Sequence, residues 1–199
     1  MICKQSPYFA AMFEGGFQEG QDQSTTLPEE EGVVSQRSFE MLVQWLYIGR
    51  ICLSELTPTE SITAIIEFVR LADMCEVTGL EIQMAKQIKS IMLDNPPPED
   101  DSEGSESTFC VVGQHITSAF LLPRGHPVRK IFATAAVEGY IRRNEHKFSK
   151  EIHDCPDFAI DLLLEVKETL KTVAIVTHTK FSFRDPLSRE NVPFFSENI

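Results

Sequence analysis

Five cysteines and five histidines are the residues best suited to metal chemistry in this 199-residue chain. Two groupings come near each other in sequence: Cys110 with His115, and His146 with His153 and Cys155. Neither has zinc-finger spacing, and neither brings the four ligands a closed site needs. Cys3, Cys52, Cys75, Cys110 and Cys155 are scattered, with no C-x-x-C pair. Cys52 and Cys75 sit among apolar residues and read as small core side chains. Nucleophile chemistry finds no better footing. Ser6, Ser38 and Ser61 fall at expected helix starts, where a hydroxyl caps the backbone. There is no Gly-x-Ser-x-Gly elbow. Gly15-Gly16 and Gly104 lack the Lys-Ser/Thr that a phosphate loop requires. Glu29-Glu30-Glu31 reads as a solvated turn. The expectation is therefore a protein with no catalytic residue, no cofactor and no metal, which acts by surface.

Composition narrows the partners. Thirty acidic against 18 basic residues give a net charge of −12. Such a surface repels phosphate backbones, so nucleic acid is not an expected partner. Arg142-Arg143 with Lys147 and Lys150 is a small basic cluster and reads as a solvated helix face. No apolar run approaches the roughly 20 residues of a membrane span. Met1-Ile2-Cys3-Lys4-Gln5 has no basic cluster before an apolar core, so no signal peptide is expected. The cysteines are then expected as reduced thiols in cytoplasm or nucleus.

The elements are mostly helical. Ser6 caps a short helix opened by Pro7, with Phe9, Met12 and Phe13 on one face, and Gly15-Gly16 ends it in a left-handed turn. Gln18 to Gln23 reads as a polar loop and Thr25-Thr26-Leu27 as a short strand. A second helix starts near Ser38, carries Phe39, Leu42, Val43 and Leu46 as its stripe, and stops at Gly49. Arg50-Ile51-Cys52-Leu53 can return as a strand. Thr57-Pro58-Thr59-Glu60 is a capping box that opens a third helix, with Ile62, Ile65, Ile66, Val69 and Ala72 inward. After a break near Val77-Thr78-Gly79, Leu80, Met84, Ile88, Ile91 and Met92 line a fourth, completing a helical hairpin.

Residues 94–108 change in kind. Pro96-Pro97-Pro98 runs into an acidic Ser/Gly mixture with no apolar residue before Phe109. Such a segment has nothing to bury and reads as an acidic linker. Ser102, Ser105 and Ser107 beside acids fit either a phosphorylation target or a plain spacer. Beyond it the helical signals resume. Ile116, Ala119 and Phe120 mark one helix. A long one opened by Pro127 places Val128, Ile131, Phe132, Ala135, Ala136 and Tyr140 on one side. Phe148 and Ile152 mark a short helix. Pro156 opens another, with Phe158, Leu162, Leu163, Val166 and Leu170 inward. Val173-Ala174-Ile175-Val176 fits either helix or strand, and the stretch after Arg184 reads as a tail.

Three segments taken in order carry a family resemblance. They are Ser6-Pro7-Tyr8-Phe9-x-x-Met12-Phe13 to Glu19, Phe39-x-x-Leu42-Val43-x-Trp45-Leu46-Tyr47-x-Gly49, and the capped hairpin with Leu71-Ala72-Asp73. Together they resemble the second half of a BTB/POZ domain. His115-Ile116-x-x-Ala119-Phe120, Gly125-His126-Pro127-Val128-Arg129 and Pro156-Asp157-Phe158-Ala159-x-Asp161-Leu162-Leu163 are similar to the helical tail of BTB proteins common in fungi. The resemblance implies a partial BTB/POZ fold followed by a helical C-terminal region: mainly α with a small β remnant (α+β). It divides the chain into a partial BTB/POZ domain (residues 1–93), the acidic linker (94–108), a helical C-terminal region (109–178) and a tail (179–199). The family's leading strand pair, with its Asp-Val signature, and its helix with a His-Lys pair are not in this sequence. The expectation is an N-terminally incomplete domain whose homodimer interface is in doubt.

The resemblance also implies function. BTB domains bind other proteins, and many serve as substrate adaptors of cullin-type ubiquitin ligases. In that group an apolar-x-Glu segment after the matching helix contacts the cullin, and Phe17-Gln18-Glu19 stands at that place. Phe17 would fill an apolar pocket while Glu19 fixes register. The other reading leaves Phe17 tucked onto its own helix and Glu19 solvated. A scaffold or transcription-associated BTB protein without a cullin partner, and an enzyme with an unrecognised site, are the alternatives.

Overall fold

Capping chemistry sets the helix boundaries. The structure is a computed structural model and describes residues 2–97, 108–177 and 180–194. Ser6 caps α1 (Pro7–Glu14), its hydroxyl accepting from the Phe9 N–H at 3.1 Å. Pro7 takes the first helical position, where no N–H is needed. Thr57 and Glu60 form the expected box at α4 (Pro58–Met74): the Glu60 N–H reaches Thr57 Oγ1 at 3.3 Å, and Glu60 Oε2 receives the Thr57 N–H at 2.9 Å.

The helix α3 (Gln36–Ile48) begins earlier than the sequence suggests. Ser35 caps it, and Ser38, three residues on, reciprocates through bonds of 3.1 and 2.9 Å. Ser38 is thus the inner half of a box, and Ser61 lies inside α4, one turn past its cap. α3 closes at Gly49 as expected.

The chain divides into two compact units, Met1–Met84 and Ala85–Ile199. In the first, α3 packs on α4. Leu42, Leu46, Ile62, Ile65, Ile66 and Phe68 are fully enclosed there, with Trp45 tilted against Phe68 at 6.3 Å. Two polar ties hold the preceding turn. Arg70 Nη1 donates to the Gly32 carbonyl at 2.7 Å, and Ser35 Oγ donates to Glu67 Oε2 at 3.3 Å. The α4 stripe is wider than the sequence suggests, because Ala64 and Leu71 are buried alongside the expected residues. After Gly79, α5 (Glu81–Asp94) carries Met84, Ile88 and Met92 as buried positions. The boundary between the units falls within it.

In the second unit α7 (Pro127–Arg142) is the central element. Residues from Phe132 to Gly139 are buried on every side of it, so it is not the one-sided helix its sequence implied. Alanine and glycine on several faces let neighbours approach from all directions. α9 (Pro156–Leu170) packs along α7 and against α8 (Ser149–Asp154), while α6 (Gly113–Ala119) meets α7 and α8. Phe120, Phe148 and Phe158 stack edge to face where these helices meet. Leu163 and Leu170, expected inward, are about half exposed, and the buried face of α9 is Phe158, Leu162 and Val166.

The chain is mainly α, with one small sheet among the described residues. Strands β1 (Ala174–Thr177), β2 (Lys180–Arg184) and β3 (Asn191–Pro193) pair antiparallel in the order β1-β2-β3. The short strands expected at 25–27 and 50–53 do not form; among the described residues of the first half the pairing is the isolated bridge between Glu30 and Val34. The sheet instead uses residues read as a tail. Phe183 and Leu187 are fully buried, and Asp185 shapes the β2–β3 turn by accepting the Ser188 N–H at 2.6 Å. A burial partner, absent from any local pattern, turns this polar stretch into structure. Of residues 94–108, the acidic core at 98–107 lies outside the described residues.

Candidate partner-binding groove

The groove is built at the end of α1. Residues Gln18–Asp22, expected as a loop, form a short helix α2 folded back beside α1. Gly20 makes this possible: a Cβ there would stand 2.8 Å from the Gly15 carbonyl oxygen and 2.9 Å from that of Phe13. Gln23 locks the return by donating from Nε2 to the Gly20 carbonyl at 2.6 Å. The turn between the helices is not left-handed at Gly15, which is extended (φ −74°, ψ 171°). Glycine is needed there for space, since a side chain would collide with the Ala11 carbonyl.

Phe17 opens α2 from its N-cap position without a side-chain capping bond. One edge of its ring lies over Gly15, and the residue is still 62% exposed. It is therefore neither buried in its own helix nor free of it. With Pro7, Tyr8, Ala11 and Met12 it lines an open groove of about 520 Å³. Glu19 and Glu76 complete the lining. Among the described residues neither carboxylate has a hydrogen bond or ion pair. Gln18 is exposed and does not line the groove.

The groove wall is fixed from a distant part of the sequence. Ser6 Oγ donates to the Cys75 carbonyl at 2.6 Å, joining the start of α1 to the end of α4. Phe9, between Tyr8 and Phe13, is buried; it stacks on Phe13 and meets the Tyr8 ring edge to face. Such a setting gives the Tyr8 and Met12 surface a firm backing. Sequence reasoning named Phe17 and Glu19 and missed Glu76, whose proximity depends on tertiary contact alone.

The candidate metal and basic groups do other work. His115 Nδ1 accepts the Val112 N–H at 3.2 Å, and His146 Nδ1 accepts the Phe148 N–H at 3.1 Å. His153 is exposed beside Asp154. Among the described residues no three His, Cys, Asp or Glu side chains converge as a metal site. Arg142 pairs with Glu138 at 2.6 Å, and Lys147 donates to the Thr108 carbonyl at 2.7 Å, so the basic cluster is partly consumed internally. Among the described residues, no helix is long and apolar enough to cross a membrane.

The groove is open, apolar in most of its lining and rimmed by the carboxylates of Glu19 and Glu76. Comparison with known proteins gives a domain match: residues 1–91 match the BTB/POZ domain. BTB/POZ domains are protein–protein interaction modules. Two human relatives, Kelch repeat and BTB domain-containing protein 6 and protein 7, are each 47% identical over 55 residues. The match covers 28% of this chain and 8% of each relative, so the chain aligns with only a small part of their length. No solved structure matches the chain.

Proposed function

We propose that this chain is a BTB-type adaptor that docks a cullin-type ubiquitin-ligase scaffold through the groove at α1–α2, with Phe17 as the apolar anchor and Glu19 as the polar one. The observation that carries the reading is Phe17: a large aromatic ring that remains 62% exposed at the N-cap of α2. Burying such a ring in a partner contributes about 2 kcal/mol, or tens-fold in affinity. Glu19, unpaired among the described residues, is left to meet a donor or cation on the partner. In this reading residues 1–93 make the contact, 94–108 form an acidic spacer and 109–178 a separate helical region. Cysteines kept as thiols suit the reducing cytoplasm or nucleus.

The test is capture of a cullin N-terminal domain by the full chain and by its Phe17→Ala/Glu19→Ala double variant. Loss of capture with unchanged unfolding behaviour supports the assignment. Equal capture by both forms rejects it. A chain that retains other proteins from cell extract but never the cullin is a scaffold instead.

A further inference from the structure

The backbone at Glu76 is unusual for its residue type. α4 ends in a closing turn in which the Val77 N–H bonds to the Ala72 carbonyl at 2.8 Å and the Glu76 N–H to the Asp73 carbonyl at 3.1 Å. This turn places one residue in the left-handed region, a position glycine fills most easily. Here Glu76 fills it, at φ 53°. Glycine would relieve that backbone, yet the position carries a carboxylate at the groove.

The groove itself supplies a reason. Its floor is apolar, formed by Tyr8, Met12 and Phe17, and its lining includes two carboxylates and no cation. Glu19 comes from α2 and Glu76 from the turn after α4, so the two acids enter from different elements. Among the described residues neither is neutralised by a neighbour. An apolar floor with unpaired acids is complementary to an apolar side chain flanked by cations.

We propose that Glu76 is a specificity-determining residue of this groove, and that the occupant is a protein segment with an apolar anchor flanked by Lys or Arg. The inference rests on the groove being the docking site, and it adds the chemistry of the partner. Phe17 sets affinity through burial. Glu19 and Glu76 select charge, rejecting acidic segments by repulsion.

The experiment uses the full chain with two kinds of probe. One is a cullin N-terminal domain. The other is a pair of amphipathic helical peptides sharing one apolar anchor and differing only in flanking Lys or Glu. Wild-type chain is expected to bind the Lys peptide more tightly, with the preference shrinking between about 0.05 and 0.5 M salt. Glu76→Gly is expected to unfold at higher urea while binding the Lys peptide about 3- to 10-fold more weakly. Glu76→Lys is expected to reverse the preference. A purely structural Glu76 would give the stability gain with no change in peptide preference, and that result overturns the inference while leaving the groove reading intact. Should Phe17→Ala leave binding of both probes unchanged, the groove reading fails and the inference with it. Binding of the Lys peptide that depends on Glu76, without cullin binding, retains the inference and removes the cullin. If neither probe binds, both are rejected.

Discussion

Ser6 and Cys75 are 69 residues apart in sequence, and the Ser6 hydroxyl donates to the Cys75 carbonyl oxygen at 2.6 Å in a buried setting. The same hydroxyl oxygen accepts the Phe9 N–H at 3.1 Å. One side chain thus caps α1 and pins it to the end of α4. Ser6→Ala removes the cap, worth about 1 kcal/mol, and leaves a buried carbonyl without that partner. The expected loss is about 2–3 kcal/mol in urea unfolding, and partner capture should weaken because the groove wall loosens. A loss under about 0.5 kcal/mol would show that water replaces the hydroxyl.

Arg129 is the equivalent tie in the second unit. It is 2% exposed, bonds Asp161 at 3.0 Å and the Leu122 carbonyl at 3.2 Å, and lies 4.6 Å from the centre of the Phe120 ring. Removing Arg129 leaves the partly buried Asp161 without its cation and empties a large enclosed volume. Arg129→Ala is expected to destabilise by about 3–5 kcal/mol. Arg129→Lys should recover little of that, because an ammonium cannot reproduce the planar fork that meets several acceptors. Chemical unfolding of the two variants compares them directly; full rescue by lysine would reduce the site to a point charge.

Gly20 tests the placement of α2. Any β-carbon there meets the Gly15 and Phe13 carbonyls, which are backbone and cannot swing away. Gly20→Val should release α2 while the α3–α4 core, including Trp45, keeps its near-UV signal. Overpacking of this kind costs about 1–3 kcal/mol, here local to α2. Hydrogen exchange is expected to show lost protection in residues 18–23, with partner capture falling as it does in Phe17→Ala. Retained protection would mean that α2 tolerates the wider spacing.

The cysteines should separate by reactivity. Burial pushes the Cys75 thiol up to about 11 and raises that of Cys110, which keeps both protonated near neutrality. Cys52 is exposed. At pH 8, alkylation followed by mass spectrometry should mark Cys52 first, and Cys75 and Cys110 only when urea opens the fold. Prompt labelling of Cys75 in the native chain would contradict its burial at the end of α4.

Acid sensitivity has an assigned contributor in Asp157. Its hydrogen bond from Arg124 holds its carboxyl below the ordinary 3.8, with the charges of Arg124 and Arg129 acting in the same direction. A folded value below the unfolded one gives stability that is complete above the unfolded value and is lost as pH falls through the folded one. Urea midpoints measured downward from pH 5 should therefore drop less steeply for Asp157→Asn than for wild type. Identical slopes would assign the acid loss to other carboxylates.

Much of the architecture was legible because its causes are local. Ser6-Pro7 and Thr57-Pro58-Thr59-Glu60 start helices by satisfying their own neighbouring N–H groups, and the structure begins helices at both. The stripe from Ile62 to Ala72 needed only the helical period to read. Phe17-Gln18-Glu19 was legible as a motif, and the family match over residues 1–91 agrees with the segments that suggested it.

Tertiary contact decided the rest. At the start of α3, the Ser35 hydroxyl reaches across to Glu67 Oε2 at 3.3 Å, a tie that adds to its local box with Ser38. Residues 180–184 and 191–193 became strands, and Phe183 and Leu187 found a buried environment that no local pattern announced. Within the groove, sequence alone determined the residue types, including an aromatic two places before a glutamate. That Phe17 stays exposed, that α2 folds back through Gly20, and that Glu76 comes from the end of α4 to the same groove were decided by packing. Charge and apolarity are written residue by residue, whereas a concave surface exists only once distant backbone segments are brought together.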